Sequence, residues 1–310
     1  MKIALTGATG FVGRAVVSVL AGGEHTLSAL VRDVVGARLP KDVMLVQGDL
    51  GDIASLDRLL RDMDVVVHVA GVISAVNRAG YFAVNERGAH AIVEAAVRNG
   101  VKRVVHVSSL SAREPQLSSY GASKLAGEKA LERFSDAIST AILRPPAVYG
   151  PGDKATLPLL KALTQRYAFV PGRADARFSL IYVGDLARVI AEAATNSATG
   201  IFELNDGSPT GYDWRELARL ASLSEHQTIR PVFLPKAALM PLAAIVELFS
   251  RLVQKPAMIS RGKISELYHD DWVARLGGWP LKNPVGFEEG FAKTVDWYRQ
   301  SGWLPKKRTP

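Results

Sequence analysis

Thr6-Gly7-Ala8-Thr9-Gly10-Phe11-Val12-Gly13 is the stretch that decides the fold. It follows an apolar, β-rich run from Lys2 to Thr6 and opens an amphipathic stretch from Phe11 to Ala21, so it reads as strand, tight turn and helix start. Its three glycines stand three residues apart. Gly7 permits the tight turn, Gly10 lets the backbone come close to a phosphate with no Cβ in the way, and Gly13 allows the helix to pack close on the strand. The free N–H groups and the dipole at the helix start then face an anion. In this context the run predicts a pyrophosphate cradle, with Gly7, Thr9, Gly10, Phe11, Val12 and Gly13 as its contacts.

Working outward, short β-rich runs alternate with amphipathic ones. Strands are expected at Thr26 to Val31, Val43 to Gln47, Val65 to Val69, Arg103 to Val107 and Ile138 to Leu143. Helices are expected from about Asp52 to Leu60, Tyr81 to Arg98 and Tyr120 to Phe134. Val65 to Val69 is almost pure valine, as a strand covered on both faces should be. The alternation predicts an α/β chain: a doubly wound parallel sheet with right-handed crossovers, the Rossmann fold. After Gly150 the texture changes and prolines cluster at Pro145, Pro146, Pro151, Pro158 and Pro171. A dinucleotide-binding domain is expected over 1–150, and a smaller C-terminal substrate-binding lobe over most of 151–310. About 179–204 is expected to return to the first domain, with Leu180 to Val183 a strand and Asp185 to Thr195 a helix. The chain has no internal repeat and no low-complexity tract.

Composition narrows the function classes. A chain of 310 residues with 48% apolar residues can bury a sizeable core. The net charge of +8 is spread along the chain, and its one tight basic run is Lys306-Lys307-Arg308. No zinc-finger spacing or aromatic RNA-binding signature occurs, so no nucleic-acid partner is expected. The chain has no cysteine, which removes disulfides, thiolate nucleophiles and cysteine-held metals. Met1-Lys2-Ile3-Ala4-Leu5 reads as a first strand rather than as the apolar region of a secretory signal, and a cytoplasmic protein is expected. Ala237 to Val253 is unusually apolar but is broken by Pro241, Glu247 and Arg251. It falls short of a membrane span of about 20 residues and is expected to be a core or lobe helix. An apolar lid or membrane-touching surface is the lesser reading.

The spacing G-x-x-G-x-x-G resembles that of the extended short-chain dehydrogenase/reductase superfamily, the NAD-dependent epimerase/dehydratase family. Further pieces of the chain resemble it in order. Gly48-Asp49-Leu50 is similar to the family's adenine-contacting turn, and His68-Val69-Ala70-Gly71 to the strand end that approaches the cofactor. Asn85 matches a helix-borne asparagine behind the active site. Arg144-Pro145-Pro146-Ala147-Val148-Tyr149-Gly150-Pro151-Gly152 is similar to the run beside the nicotinamide. The resemblance covers at least Met1 to Gly152. It implies cofactor contacts from Asp49, Leu50, Val69, Ala70, Gly71, Pro146 and Val148.

The second strand ends Ala29-Leu30-Val31-Arg32-Asp33. NAD binders of this fold usually place an acidic residue at this strand end, on the ribose 2′-hydroxyl. Counted from the glycine turn, that position is Val31. Arg32 follows, and a guanidinium can grip a 2′-phosphate. The run resembles that of NADP-dependent, dihydroflavonol-reductase-like enzymes, so NADP is favoured over NAD. Asp33 is either the ribose acceptor or a turn residue.

Tyr120-Gly121-Ala122-Ser123-Lys124 begins a helix, and residues four apart share a face. A phenol ionises near pH 10. A neighbouring ammonium and a positive nicotinamide ring are both expected to lower that value, letting the phenol exchange a proton while hydride moves. Lys124 would also hold ribose hydroxyls. The preceding strand ends Val107-Ser108-Ser109-Leu110-Ser111, and the resemblance implies a serine there against the substrate oxygen. Ser109 is the first candidate and Ser111 the fallback. Other chemistries fit less well. His68, His90 and His106 are scattered, no metal-ligand spacing occurs, and the serines lack a nucleophile-elbow pattern.

The second half says less. Phe178-Ser179-Leu180-Ile181-Tyr182-Val183-Gly184-Asp185 resembles the family's strand that returns to the cofactor domain. Sugar-nucleotide enzymes often place an arginine at its start, and Arg177 stands one residue early. Lys154, Arg173 and Arg177 are either an anionic pocket or ordinary solvated charge, whereas Leu239 to Val253 points to a hydrophobic substrate. Gly286 to Trp303 reads as a closing amphipathic helix. The leading expectation is an NAD(P)-dependent oxidoreductase that transfers hydride between cofactor and a carbonyl/alcohol pair by a Ser-Tyr-Lys mechanism. A sugar-nucleotide epimerase or dehydratase with tightly bound cofactor is the second. A non-catalytic dinucleotide sensor or assembly subunit is the third, and the retained Tyr-Lys pair speaks against it. The expected partner is a small-molecule substrate, and the resemblance implies a homodimer through the helices around Tyr81 to Arg98 and Tyr120 to Phe134.

Overall fold

The chain enters as a strand of five residues, β1 (Lys2–Thr6), whose side chains are buried from Ile3 onward. In the computed structural model, residues 1–257, 259–275 and 277–306 are described. The basic residues Lys307 and Arg308 lie outside them. After β1 come α1 (Phe11–Leu20), β2 (Thr26–Val31), β3 (Met44–Gln47), α2 (Ile53–Leu60) and β4 (Val65–His68). Next are α3 (Arg78–Asn85), α4 (Arg87–Arg98), β5 (Arg103–Val107), a 3-10 turn (Leu110–Arg113), α5 (Ser119–Glu132) and β6 (Ser139–Arg144). The second half runs β7 (Ala147–Tyr149), α6 (Leu157–Ala162), β8 (Tyr167–Pro171), β9 (Arg177–Phe178), β10 (Leu180–Tyr182), α7 (Val183–Thr195) and β11 (Gly200–Glu203). It ends with α8 (Trp214–Glu225), β12 (Arg230–Leu234), α9 (Lys236–Val253), α10 (Arg261–Leu267), β13 (Asp271–Trp272) and α11 (Phe287–Gln300).

Among the described residues the main sheet has seven strands in the order β11-β6-β5-β4-β1-β2-β3, all parallel. This is the doubly wound Rossmann arrangement. The order reverses between β1 and β4, where Thr6 stands level with His68. Such a switch point opens a crevice at the carboxyl ends of the strands. One face of the sheet packs Ile3, Leu5 and Val67 against Val16 and Val17 of α1 and Leu186 and Ile190 of α7. The opposite face packs Ala4, Val66 and Val104 against Leu56, Leu59, Ile92 and Leu131. Each such buried aliphatic side chain contributes about 1.5–3 kcal/mol. A third core lies under the second half, where Tyr149, Leu163, Leu217, Phe287, Phe291 and Tyr298 meet. The strand β11 rejoins the main sheet beside β6.

Two expectations change. The helix expected over Tyr81 to Arg98 is two helices that meet at Glu86. The first begins earlier, capped by Asn77, whose side chain accepts from the Gly80 N–H at 3.0 Å. Beside the break stands Asn85, which is buried and pairs with the main chain of Val72 in both directions, at 2.9 and 3.0 Å. The apolar stretch from Ala237 does form a lobe helix, but α9 buries only Ala243 and Ser250. It is not a core helix, because its large apolar side chains stand in solvent.

Candidate active site

The β1–α1 turn is built as its glycines demand. Gly7 sits at φ +75°, and a Cβ there would lie 2.6 Å from the Ala70 nitrogen. A Cβ on Gly13 would come within 2.0 Å of the Gly7 oxygen, so helix and turn can approach only without it. At Gly10 an added Cβ would meet only the Gly7 oxygen, at 3.3 Å, so the space above the turn is open. No side chain caps the start of α1, which leaves its first N–H groups for a phosphate. These features fit a pyridine dinucleotide.

The turn forms one end of a continuous cleft of about 2030 Å³. The expected glycine-turn, cofactor-contact and catalytic residues border it: Gly7, Thr9, Gly10, Phe11, Val12, Gly13, Arg32, Asp49, Leu50, Val69, Ala70, Gly71, Ser109, Tyr120, Lys124, Pro146 and Val148. Ligand pockets commonly hold about 300–1,000 Å³, so this cleft has room for a dinucleotide and a second large molecule. Asp33 does not border it. The Asp33 carboxylate accepts from the N–H groups of Val35 and Gly36 at 3.0 and 3.1 Å, the role of a turn residue. Arg32 is exposed at the cleft edge. The neighbouring Arg14 is already spent on the carbonyls of Thr9, Ala37 and Arg38.

At the other end of the cradle, α5 is started by Ser118, whose hydroxyl accepts from the Gly121 N–H at 2.8 Å. Tyr120 lies in its first turn, and Lys124 follows one turn later. The Ser109 side chain hydrogen-bonds the Tyr120 phenol. Ser111 reaches this group only through its main-chain N–H, which donates to Ser109 Oγ at 3.2 Å. Burial pushes the Tyr120 phenol up to about 12, with the Ser109 hydrogen bond opposing and the charge of Glu266 adding. That corrects the expected lowering by Lys124. The Lys124 ammonium instead donates to the Val107 carbonyl oxygen at 2.8 Å, and burial pushes it down to about 8 against the pull of Glu128. As it stands, the site holds a neutral phenol, a proton donor, beside a hydroxyl and a part-neutralised amine.

Three neighbours were not read from the sequence as part of this site. The Tyr81 ring lies 6.4 Å from that of Tyr120. Glu266 is buried, accepts from Ser118 Oγ and pairs with Lys263 at 3.3 Å. Ser108 turns away from the cleft's chemistry and donates to Glu128. Only their spacing after a folded lobe, not any local motif, brings Tyr81 and Glu266 to Tyr120.

The remaining length of the cleft has a largely apolar wall of Leu159, Leu163, Phe169, Phe178, Leu234, Leu239, Leu242 and Trp272, and Lys154, Glu247, Arg251, Lys263 and Glu266 border it as well. The arginines considered as an anionic pocket are engaged elsewhere. Arg177 pairs with Asp213 and Glu216, and Arg173 with Asp175 and Asp270. Lys154 borders the cleft, with its ammonium 5.8 Å from the centre of the Trp303 ring. Among the described residues no cluster of His, Asp and Glu could hold a metal ion.

A profile of the NAD dependent epimerase/dehydratase family matches residues 3–204. The chain belongs to this family. The curated relatives include a ceramide reductase of Caulobacter vibrioides, 41% identical, the match covering 98% of this chain and 96% of the relative. They also include a UDP-glucose 4-epimerase of Vibrio cholerae, 26% identical over 97% of this chain and 96% of that one. Among solved structures, the UDP-glucose 4-epimerase of Thermus thermophilus complexed with NAD has a TM-score of 0.69 at 23% identity, covering 96% of this chain and 99% of that one. This last likeness shows the fold. The family's members named here are enzymes, and so is this epimerase/dehydratase-family chain.

Proposed function

We propose that the protein is an NADPH-preferring reductase of a ketone carried by a ceramide-type lipid. The observation that carries this reading is the apolar wall of the cleft beyond Tyr120, from Leu159 and Phe169 to Leu239 and Trp272. The ceramide reductase that matches almost the whole chain supports it. In a ceramide skeleton the amide carbonyl is resonance-stabilised, so the reducible group is a ketone at a carbinol position.

The bound cofactor supplies the hydride. Tyr120 donates its proton to the carbonyl oxygen as that oxygen gains charge. Burial keeps the phenol neutral at physiological pH, which suits a donor in the reducing direction. Ser109 orients the carbonyl oxygen against the phenol. Lys124 holds ribose hydroxyls, and Asn85 and Ser123 brace its helix through a hydrogen bond of 2.9 Å. After transfer, Tyr120 regains a proton from solvent. Arg32, with the adjacent Asp33 tied into its own turn, would grip the 2′-phosphate that favours NADPH.

The runner-up, a sugar-nucleotide epimerase, is favoured by the Vibrio cholerae relative. It needs cations for a diphosphate: Arg173 and Arg177 are paired away from the cleft and Lys263 is paired with Glu266, which leaves Lys154 and Arg251 on its border. The test offers NADPH with a short-chain N-acyl ketone of the sphingoid type, and separately UDP-glucose. One reduced cofactor consumed per ketone supports the proposal. Conversion of the UDP-sugar without net cofactor consumption, and none of the ketone, overturns it. The expected homodimer stays a proposal as well. Among the described residues, none of the large apolar side chains left exposed lies on α4 or α5.

A further inference from the structure

The helix α9 is turned inside out. A lobe helix hides its apolar arc, yet here Ile245, Leu248, Phe249 and Leu252 are 66, 61, 64 and 74% exposed. With Leu242 they recur at helical spacing on one face, an arc about 120° wide at 3.6 residues per turn. The opposite face carries Ala243 and Ser250 into the lobe. Single exposed apolar residues are ordinary, but a contiguous stripe marks a surface that something covers.

Charge says what covers it. From Lys236 to Lys263 the sequence has five basic residues, Lys236, Arg251, Lys255, Arg261 and Lys263, against one acid, Glu247. Glu247 accepts from the main chain and the guanidinium of Arg261 at 2.7 and 2.9 Å, and Lys263 pairs with Glu266 at 3.3 Å, so Lys236, Arg251 and Lys255 are the cations that remain beside the stripe. Lys236 and Lys255 stand exposed at the two ends of α9. An apolar stripe bracketed by cations is the pattern of a helix lying in the interface of an anionic bilayer. Among the described residues no helix is long and apolar enough to cross one.

The stripe is also joined to the cleft. Leu242 belongs to both, and Ile73, Phe169 and Ile259 are exposed side chains on the cleft wall. The following helix, α10, is fixed beside the catalytic centre. Its Gly262 lies against Ser118, the cap of the helix that carries Tyr120, and its Glu266 accepts from the Ser118 hydroxyl. We propose that α9 docks the protein on an anionic lipid surface, so that a membrane-held substrate enters the apolar end of the cleft without crossing water. The choice of a bilayer over a protein surface rests in part on the lipid reading of the substrate.

The test is sedimentation of the full chain with vesicles of phosphatidylcholine alone or mixed with phosphatidylglycerol, alongside light scattering of the protein. Turnover of a water-soluble short-chain ketone is measured separately. The wild type is expected to sediment with the mixed vesicles, and Ile245→Ser/Phe249→Ser/Leu252→Ser to lose about ten-fold or more in partitioning. Lys236→Glu/Lys255→Glu should lose the preference for phosphatidylglycerol. Both variants should keep wild-type turnover of the soluble ketone, since none of these side chains borders the cleft. Wild-type protein left in the supernatant while it still reduces the soluble ketone overturns the docking and spares the reductase. A dimer in solution that the triple serine variant makes monomeric assigns the stripe to a protein contact and also overturns it. Vesicle binding without ketone turnover upholds the docking and counts against the reductase.

Discussion

Lys124 donates its ammonium N–H to the carbonyl oxygen of Val107 at 2.8 Å, at the end of the strand that leads into Ser109. Burial holds this lysine near 8 instead of its ordinary 10.5, whereas Tyr120 is held near 12. The first group to change charge on the alkaline side is therefore the amine. If the ammonium holds the ribose, kcat/KM should fall as pH rises through about 8 in the free enzyme. Lys124→Arg, which keeps its charge to much higher pH, should move that limb upward. Stability runs the other way. Between about 8 and 10.5 the unfolded chain binds more protons at this lysine than the folded one, so stability gains as pH rises through that window. The gain should be absent in Lys124→Met. A pH–rate profile flat to about pH 10 removes the ribose-holding role.

Tyr120→Phe should lose about a hundred- to ten-thousand-fold in kcat while keeping dinucleotide affinity in a fluorescence titration. The serines separate by atom. Ser109 offers its hydroxyl to the phenol, and Ser111 offers only its main-chain N–H to Ser109. Ser109→Ala should therefore cost about ten-fold or more in kcat, and Ser111→Ala, which keeps the N–H, should stay near wild type. The reverse pattern would reassign the hydroxyl to Ser111.

These residues were legible in the sequence because their signals are local. A glycine turn, a strand-end serine and a Tyr-x-x-x-Lys pair each lie within one element and its flank. What failed to show depends on distant partners. The long helix is divided at Glu86, beside the buried Asn85 that bonds the distant main chain of Val72. The charge of Arg177 is plain in the sequence, but its engagement with Asp213 and Glu216 is decided by how the lobe folds. The apolar character of Ala237 to Val253 was visible in composition, and hydropathy cannot say whether protein or something else covers such a stretch. Tyr81 and Glu266 carried no motif at all, and only tertiary packing brings them to the phenol.

Arg32 and Asp33 are neighbours with separate duties. The carboxylate is tied into its own turn by two N–H groups, and the guanidinium edges the cleft. Arg32→Ala should weaken NADPH by about ten-fold or more and leave NADH nearly unchanged, since a charge-assisted contact to phosphate contributes about 1.5–3 kcal/mol. Asp33→Ala should lower thermal stability slightly without changing the ratio. Equal dissociation constants for the two cofactors in the wild type would end the NADPH preference.

The rings of His68 and His106 stack 5.2 Å apart on adjacent strands. Burial pushes His68 down to about 3 and His106 well below its ordinary value, with the charge of Lys124 adding to both. The folded chain keeps them neutral, while the unfolded chain protonates them near 6.5. Stability is therefore full above that pH and is lost as pH falls below it. Urea midpoints should drop between about pH 7.5 and 5.5, and His106→Gln should flatten the drop. An unchanged slope in that variant would place the acid sensitivity elsewhere.

A buried ion pair lies beneath the site. Glu128 on α5 takes two hydrogen bonds from Arg144 at the end of β6, at 2.9 and 2.6 Å, and a third from Ser108. Arg144 also lies 3.6 Å from Glu203, which Arg113 approaches at 3.3 Å. Removing Glu128 leaves Arg144 only its longer contact to Glu203 at 3.6 Å, so Glu128→Ala should destabilise the fold, by at most about 3–5 kcal/mol. It also frees the Ser108 hydroxyl, one residue from Ser109, so kcat should fall more than KM rises. Replacing the pair by apolar residues, Glu128→Leu with Arg144→Met, should restore much of the stability, because the desolvation penalty of both charges disappears with their attraction. Glu203 keeps Arg113 as its counter-charge in that variant. Chemical denaturation of the three proteins decides the matter. A double variant as unstable as the single one means that the pair contributes net attraction, and that its geometry outweighs the loss of water around it.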